Sequence, residues 1–185
     1  LESYPVESSI QASQVCLLVI FAHPDDETTL SGSTMAMYAA SGAAVQILSA
    51  TRGEQGGLGT GGRKIRREDL AAVREEELRR VSRHYRLERS PLFLGYNDQE
   101  LAVVNHEEGV RKILNVMFHV KPTAGITHGP KGLGGHPDHI ALHFLVRDAF
   151  SHYKKSPTHA PRLLYAAASQ DIIEAWDIDL DGPEA

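Results

Sequence analysis

The sequence predicts an α/β protein, a three-layer α/β/α sandwich built on a Rossmann-like, mostly parallel sheet. Short apolar runs rich in β-branched residues alternate along the chain with longer segments of helical period. The stretches between successive apolar runs are long enough to hold a crossover helix, which parallel neighbours need and hairpins do not. A single domain over residues 1–185 is expected, with residues 1–14 as an N-terminal extension.

Each element has its own signal. The run Val15 to Ala22 is apolar throughout, as a strand buried on both faces must be. Glu27 to Ser41 reads as a helix, with Gly42 where a C-terminal cap is wanted. Ala44 to Thr51 reads as the second strand, and the loop after it, Arg52 to Gly62, is rich in glycine. Arg63 to Tyr85 reads as a long helix on which Leu70, Val73, Leu78, Val81 and Tyr85 form one apolar stripe. Leu92 to Gly95 is a short third strand, and Val104 to Val120 a helix stopped by Pro122. Ala124 to His128 is the fourth strand, and Asp138 to Tyr153 a helix with Pro137 near its first turn. Arg162 to Ser169 reads as the fifth strand. Right-handed crossovers then align the strand C-termini along one edge of the sheet, where ligands bind in such folds.

Composition removes several function classes. No apolar run reaches the length of about 18 residues that a membrane span requires. Between Glu2 and Gln14 there is no basic start followed by an apolar region, so no signal peptide is expected. The one cysteine, Cys16, lies in an apolar run and reads as a core residue, and a cytoplasmic setting is expected. The formal net charge of -5 argues against broad nucleic-acid binding. The arginines of the long helix pair with glutamates four residues earlier, as in Glu75 with Arg79 and Glu76 with Arg80, which describes a solvated face. The glycine-rich run Gln55 to Gly62 lacks the Lys-Ser/Thr ending of a phosphate loop and is expected to be a mobile loop near the pocket.

The chemistry follows two strand ends. Ala22-His23-Pro24-Asp25-Asp26-Glu27 follows the first strand, and His128 to His139, ending Gly135-His136-Pro137-Asp138-His139, follows the fourth. A catalytic zinc site takes three nitrogen or carboxylate ligands and keeps one position open. A His-x-x-Asp pair on a strand-to-helix turn suits two of them. His23 and Asp26 have that spacing, and either His136 or His139 can complete the set. Asp25 is then left over as a general base. His128 and Lys131 lie in the same loop, as substrate contacts or as solvated loop residues, and His143 reads as a packed neighbour of the site.

AHPDDE after the first strand, Thr51-Arg52-Gly53-Glu54 after the second and GHPDH after the fourth resemble the LmbE-like, or PIG-L, family of zinc-dependent N-acetylglucosaminyl deacetylases. The resemblance runs from about Val15 to about Asp179. It implies zinc held by His23, Asp26 and His139, with Fe2+ or another divalent ion compatible with the same residues. It implies Asp25 as the base that activates water. His136 would stabilise an oxyanion or protonate the leaving amine, and Asp138 would orient His136. It also implies substrate contacts from Arg74, within Val73 to Leu78, and from Asp98, within Gly95-Tyr96-Asn97-Asp98. The residues alone also allow Arg74 to pair with helix glutamates and Asp98 to be a turn residue.

The chain departs from the family pattern in two places. Gly134 stands where some members carry a tyrosine, so the oxyanion is expected to lean more on zinc and His136. The usual segment with a lysine and a late histidine does not follow the Asp-Ile-Asp-Leu stretch, so a chain cut short at Ala185 is expected. The expected function is hydrolysis of the N-acetyl amide of an N-acetylglucosamine-containing small molecule or oligosaccharide. A zinc amidase acting on a non-sugar conjugate, and a metal-binding domain without activity, are the alternatives. A homo-oligomer is left open.

Overall fold

A computed structural model describes residues 11–58, 65–153 and 161–167 of the chain. Among the described residues, five strands form one parallel sheet: β1 (Cys16–Phe21), β2 (Ala44–Ser49), β3 (Leu92–Phe93), β4 (Ala124–His128) and β5 (Arg162–Ala166). Four helices connect them: α1 (Asp26–Ala40), α2 (Leu70–His84), α3 (His106–Val120) and α4 (Pro137–Tyr153). The order across the sheet is β3-β2-β1-β4-β5, and every pairing is parallel. The chain therefore winds outward from β1 to β3, then crosses back to start again at β4, on the other side of β1.

Alternation along the strands divides the core in two. Leu17, Val19 and Phe21 point to one face with Val45 and Ile47, where Met35 of α1 and Leu78 of α2 cover them. Leu18, Ile20 and Ala22 point to the other, against Ile113 and Met117 of α3 and Leu142, Val146 and Phe150 of α4. Burial on both faces is why β1 carries no polar residue. The expected three-layer sandwich is what the chain forms.

Element boundaries shift by a few residues, with one larger correction. The long helix expected from Arg63 starts only at Leu70, after a single 3-10 turn at Arg67–Asp69. Leu70 is also the first residue of the apolar stripe, and the preceding charged residues have no core to face. The third helix starts at His106 because Asn105 caps it, its side chain accepting from the Glu108 amide at 3.0 Å. Cys16 is only half buried, at the solvent-side end of β1. Residues 1–10, the end of the glycine-rich run and the last residues expected in the fifth strand lie outside the described residues.

Candidate active site

The crossing back of the chain leaves a crevice beyond the C-terminal ends of β1 and β4, the place where open parallel sheets bind ligands. Both histidine-aspartate clusters open into it. After β1 the backbone turns sharply, and the Asp26 carboxylate folds back to accept the His23 amide through Oδ2 at 2.9 Å. That local bond puts the imidazole and carboxylate of the His-x-x-Asp pair on one side of the turn. From the other strand, α4 presents His139 on its first turn, with Nδ1 2.8 Å from the Gly132 carbonyl. The backbone oxygen fixes Nδ1 as the protonated nitrogen, so Nε2 points outward with its lone pair.

These three residues converge. His139 Nε2 lies 3.3 Å from His23 Nδ1 and 3.4 Å from Asp26 Oδ2, and the remaining side, His23 Nδ1 to Asp26 Oδ2, is 3.5 Å. Metal–ligand bonds of about 2.0–2.1 Å at tetrahedral angles would set donor atoms about 3.3–3.4 Å apart. The triangle therefore fits one zinc-sized ion, and its nitrogen and carboxylate donors suit such an ion.

A second layer fixes the ring of His23. Its Nε2 lies 2.9 Å from Asp98 Oδ1 and 3.2 Å from Asp138 Oδ2. Burial disfavours a charge on His23, but hydrogen bonds to Asp138 and Asp26, with the charge of Asp98, outweigh it and push its pKa up to about 10. Burial and the neighbouring His128 hold His139 down at about 4. Burial also works against the charge of Asp26, yet the adjacent His128 and His23 rings and His139 keep its carboxyl well below the usual range.

Asp98 is buried, with Oδ1 facing His23 and Oδ2 accepting the Gln55 amide at 2.9 Å. Glu54, of the Thr51 to Glu54 motif, holds the backbone of Asp98 at 2.9 Å, and Thr51 Oγ1 ties the same loop to the Ala22 carbonyl at 3.0 Å. The Asp138 carboxylate faces His23, within 4.8 Å of a His136 ring nitrogen as well, and accepts the amides of Gln99 and Leu101 at 2.8 and 3.0 Å. His136 is met by the Asp138 backbone, whose N–H donates to Nδ1 at 3.2 Å. With Nδ1 accepting, the neutral His136 ring carries its proton on Nε2.

Arg74 does not pair with the helix glutamates. It reaches across to Asp25, with Nη2 2.5 Å from Oδ2, and to the Pro24 carbonyl. Gly53, at φ +66, lies so close that a Cβ there would come within 2.9 Å of Arg74 Nε. Asp25, next in sequence to Asp26 of the triangle, is itself 67% exposed. His128 is fully buried and so not a solvated loop residue. Its ring stacks on His139 at 3.8 Å and 11°, and Nε2 accepts the Ala22 amide at 3.2 Å. His143 packs behind it, with Nδ1 2.9 Å from the His128 carbonyl. A cleft of about 580 Å³ opens from Asp25 between α1 and α2, lined by Glu27, Arg74, Leu58, Leu70 and Val73.

Residues 18–150 match the PIG-L family, described as GlcNAc-PI de-N-acetylase. The chain belongs to this family. Among curated relatives of this PIG-L chain, the 1D-myo-inositol 2-acetamido-2-deoxy-alpha-D-glucopyranoside deacetylase of Segniliparus rotundus is 36% identical over 155 residues, 71% of this chain and 49% of the relative. The protein of the same name from Mycobacteroides abscessus is 32% identical over 178 residues, 85% of this chain and 62% of the relative. The chain thus spans about half the length of the curated relatives it matches. Of the solved structures, the conserved protein TT1542 of Thermus thermophilus aligns with a TM-score of 0.66 at 27% identity, over 87% of this chain and 75% of that one. The N,N'-diacetylchitobiose deacetylase of Pyrococcus horikoshii aligns with a TM-score of 0.64 at 23% identity, over 78% of this chain and 52% of that one, and shares the fold.

Proposed function

We propose that this PIG-L family chain is a zinc-dependent hydrolase that removes the N-acetyl group from an N-acetylglucosamine-containing small molecule or oligosaccharide. One observation carries the reading: a three-donor triangle of metal-binding size stands beside an exposed carboxylate, Asp25, in the sheet's ligand crevice. The relatives named as deacetylases of an acetamido sugar support the choice of bond and substrate class.

His23, Asp26 and His139 would hold the ion. Zinc bound there supplies a Lewis acid and lets a water lose its proton at roughly neutral pH. Asp25 would take that proton and pass it on, a role worth roughly 10²- to 10⁴-fold in rate. His136 presents an Nε2–H that can donate to the oxygen of the tetrahedral species. As a second layer of carboxylates on His23, Asp98 and Asp138 orient a ligand rather than touch substrate. Arg74 borders both Asp25 and the cleft, so a substrate entering from that side meets it first. Among the described residues no helix is long and apolar enough to cross a membrane. A reducing, cytoplasmic setting belongs to this same reading.

Metal analysis of the purified protein, followed by an acetate-release screen over N-acetylated sugars, tests the proposal. The expected result is about one zinc per chain and acetate from at least one N-acetylglucosamine derivative. Acetate only from non-sugar amides would make the chain an amidase of another class. Stoichiometric zinc with no hydrolysis of any amide would leave a metal-binding domain.

A further inference from the structure

Asp25 combines two features that seldom occur together in a non-glycine residue. Its backbone sits at φ 115 and ψ -33, and its side chain is the exposed carboxylate of the site. Positive φ is strained for a residue with a Cβ, of order 1–3 kcal/mol, and persists only where neighbouring groups over-determine it. Several neighbouring groups do so here. Glu27, two residues on, turns back and accepts the Asp25 N–H through Oε2 at 3.0 Å. Its Oε1 accepts the Thr28 hydroxyl at 2.6 Å. The Asp25 carbonyl receives the amides of Thr28 and Thr29 at 3.1 and 3.0 Å. Arg74 closes the far side through the Asp25 carboxylate and the Pro24 carbonyl.

Glu27 is unusual in its own right. It is only 2% exposed, and among the described residues none of its hydrogen-bond partners is a cation. Burial raises its pKa, the sign of a carboxylate kept away from water at a cost. The same position on a helix of this kind could carry an apolar residue and pack against the sheet more cheaply. What the carboxylate does there that an apolar side chain could not is to accept the Thr28 hydroxyl and to hold the N–H of Asp25, and only the second bears on the strained residue.

We propose that Glu27 is a positioning residue for the general base: together with Arg74 it clamps Asp25 in its positive-φ conformation and so aims the carboxylate at the site. Glu27 acts on the backbone and Arg74 on the carboxylate. The requirement on Glu27 is an acceptor of the right reach rather than a charge. This inference rests on the reading of Asp25 as the base, but the geometry of the clamp can be measured without it.

The experiment compares Glu27→Ala and Glu27→Gln with the wild-type protein, all zinc-loaded, by two independent readouts. In Glu27→Gln the amide oxygen still accepts the Asp25 N–H, and its NH2 faces a threonine hydroxyl able to accept. Amide hydrogen exchange at Asp25 is the first readout. It should accelerate at least tenfold in Glu27→Ala and recover in Glu27→Gln. Turnover is the second: kcat should fall about 10- to 100-fold in Glu27→Ala, with KM and zinc content unchanged, and largely recover in Glu27→Gln. Unchanged exchange at Asp25 in Glu27→Ala overturns the clamp whether or not a substrate has been found. Two variants equally slow in turnover would show that charge matters and not the acceptor, which also overturns it. Loss of zinc in both would place Glu27 behind Asp26 instead. If the wild-type protein hydrolyses no amide, the proposed function fails, while the exchange data still decide the clamp. Should Glu27→Ala fail to fold, Asp25→Gly in the Glu27→Gln background tests the same point. Glycine relieves the strain, and exchange at position 25 should then depend less on residue 27.

Discussion

His23 Nε2 lies 2.9 Å from Asp98 Oδ1, and this contact turns the opposite nitrogen of the ring toward Asp26 and His139. Asp98→Ala should therefore weaken zinc binding about 10- to 100-fold. Competition with a chelator of known affinity measures it. If zinc affinity stays at the wild-type value while KM rises, Asp98 touches substrate, as the family resemblance implied.

Zinc uptake should release a proton. With its pKa near 10, the His23 ring is protonated in the metal-free protein at pH 7, and the ion must displace the proton on Nδ1. His139, held down at about 4, is already neutral and adds nothing. Calorimetry at pH 7 in buffers of different ionisation enthalpy should thus count about one proton per zinc. A count of zero would mean that His23 is neutral before the metal arrives.

The same two rings shape the stability of the metal-free protein in opposite directions. For His23 the folded pKa lies above the unfolded value of about 6.5, so its contribution is full below that pH and is lost as pH rises toward about 10. For His139 the folded pKa lies below, so its contribution is full above about 6.5 and is lost as pH falls toward about 4. Denaturant unfolding of the metal-free protein should show these two rings favouring a maximum near pH 6.5. A stability that climbed steadily from pH 6.5 to 9 would contradict the assignment for His23.

Asp25→Ala should keep its zinc and lose about 10²- to 10⁴-fold in turnover. Metal analysis and acetate release on the same sample check both halves. Full activity in this variant would remove Asp25 from the chemistry.

Asp138 should prove structural as well as orienting. Its carboxylate is fully buried and receives the amides of Gln99 and Leu101, both of which lose their acceptor in Asp138→Ala. The Leu101 amide is buried, and leaving such a donor unpaired costs about 1–3 kcal/mol, while the Gln99 amide is only part-buried. For a domain of this size each kcal/mol lowers the melting midpoint by roughly 2–4 °C. Scanning calorimetry of the metal-free variant should show a fall of several degrees, and a midpoint within experimental error of wild type would deny the role.

Much of this was legible in the chain itself. The apolar strand Val15 to Ala22 and the two clusters that follow strands could be read locally, because strand burial and the His-x-x-Asp turn are short-range patterns. Where the long helix begins was misread because Arg63 to Asp69 have helical composition, while only from Leu70 does the stripe find a sheet to cover. The partners of Asp98, Asp138 and Arg74 were not legible. Each lies on one element and acts on a residue of another, so its target depends on how loops after β2, β3 and β4 meet. Glu27 left a faint mark: an acidic residue at the second position of a helix whose next residues pack on a core. Such residues are common at helix starts, where they favour the positive end of the dipole, so the pattern pointed nowhere in particular.

The sheet order carries a consequence for when the protein first becomes able to hold a metal. His23 and His139 are 116 residues apart in sequence and become neighbours only because β4 docks beside β1. A chain emerging from synthesis has made β1, β2 and β3 well before it owns a complete set of donors. Early intermediates then own only the local pair His23 and Asp26, and capture by all three donors marks the closing of the sheet across its middle. Tight metal uptake in a refolding experiment would thus be a clock for the pairing of β4 with β1.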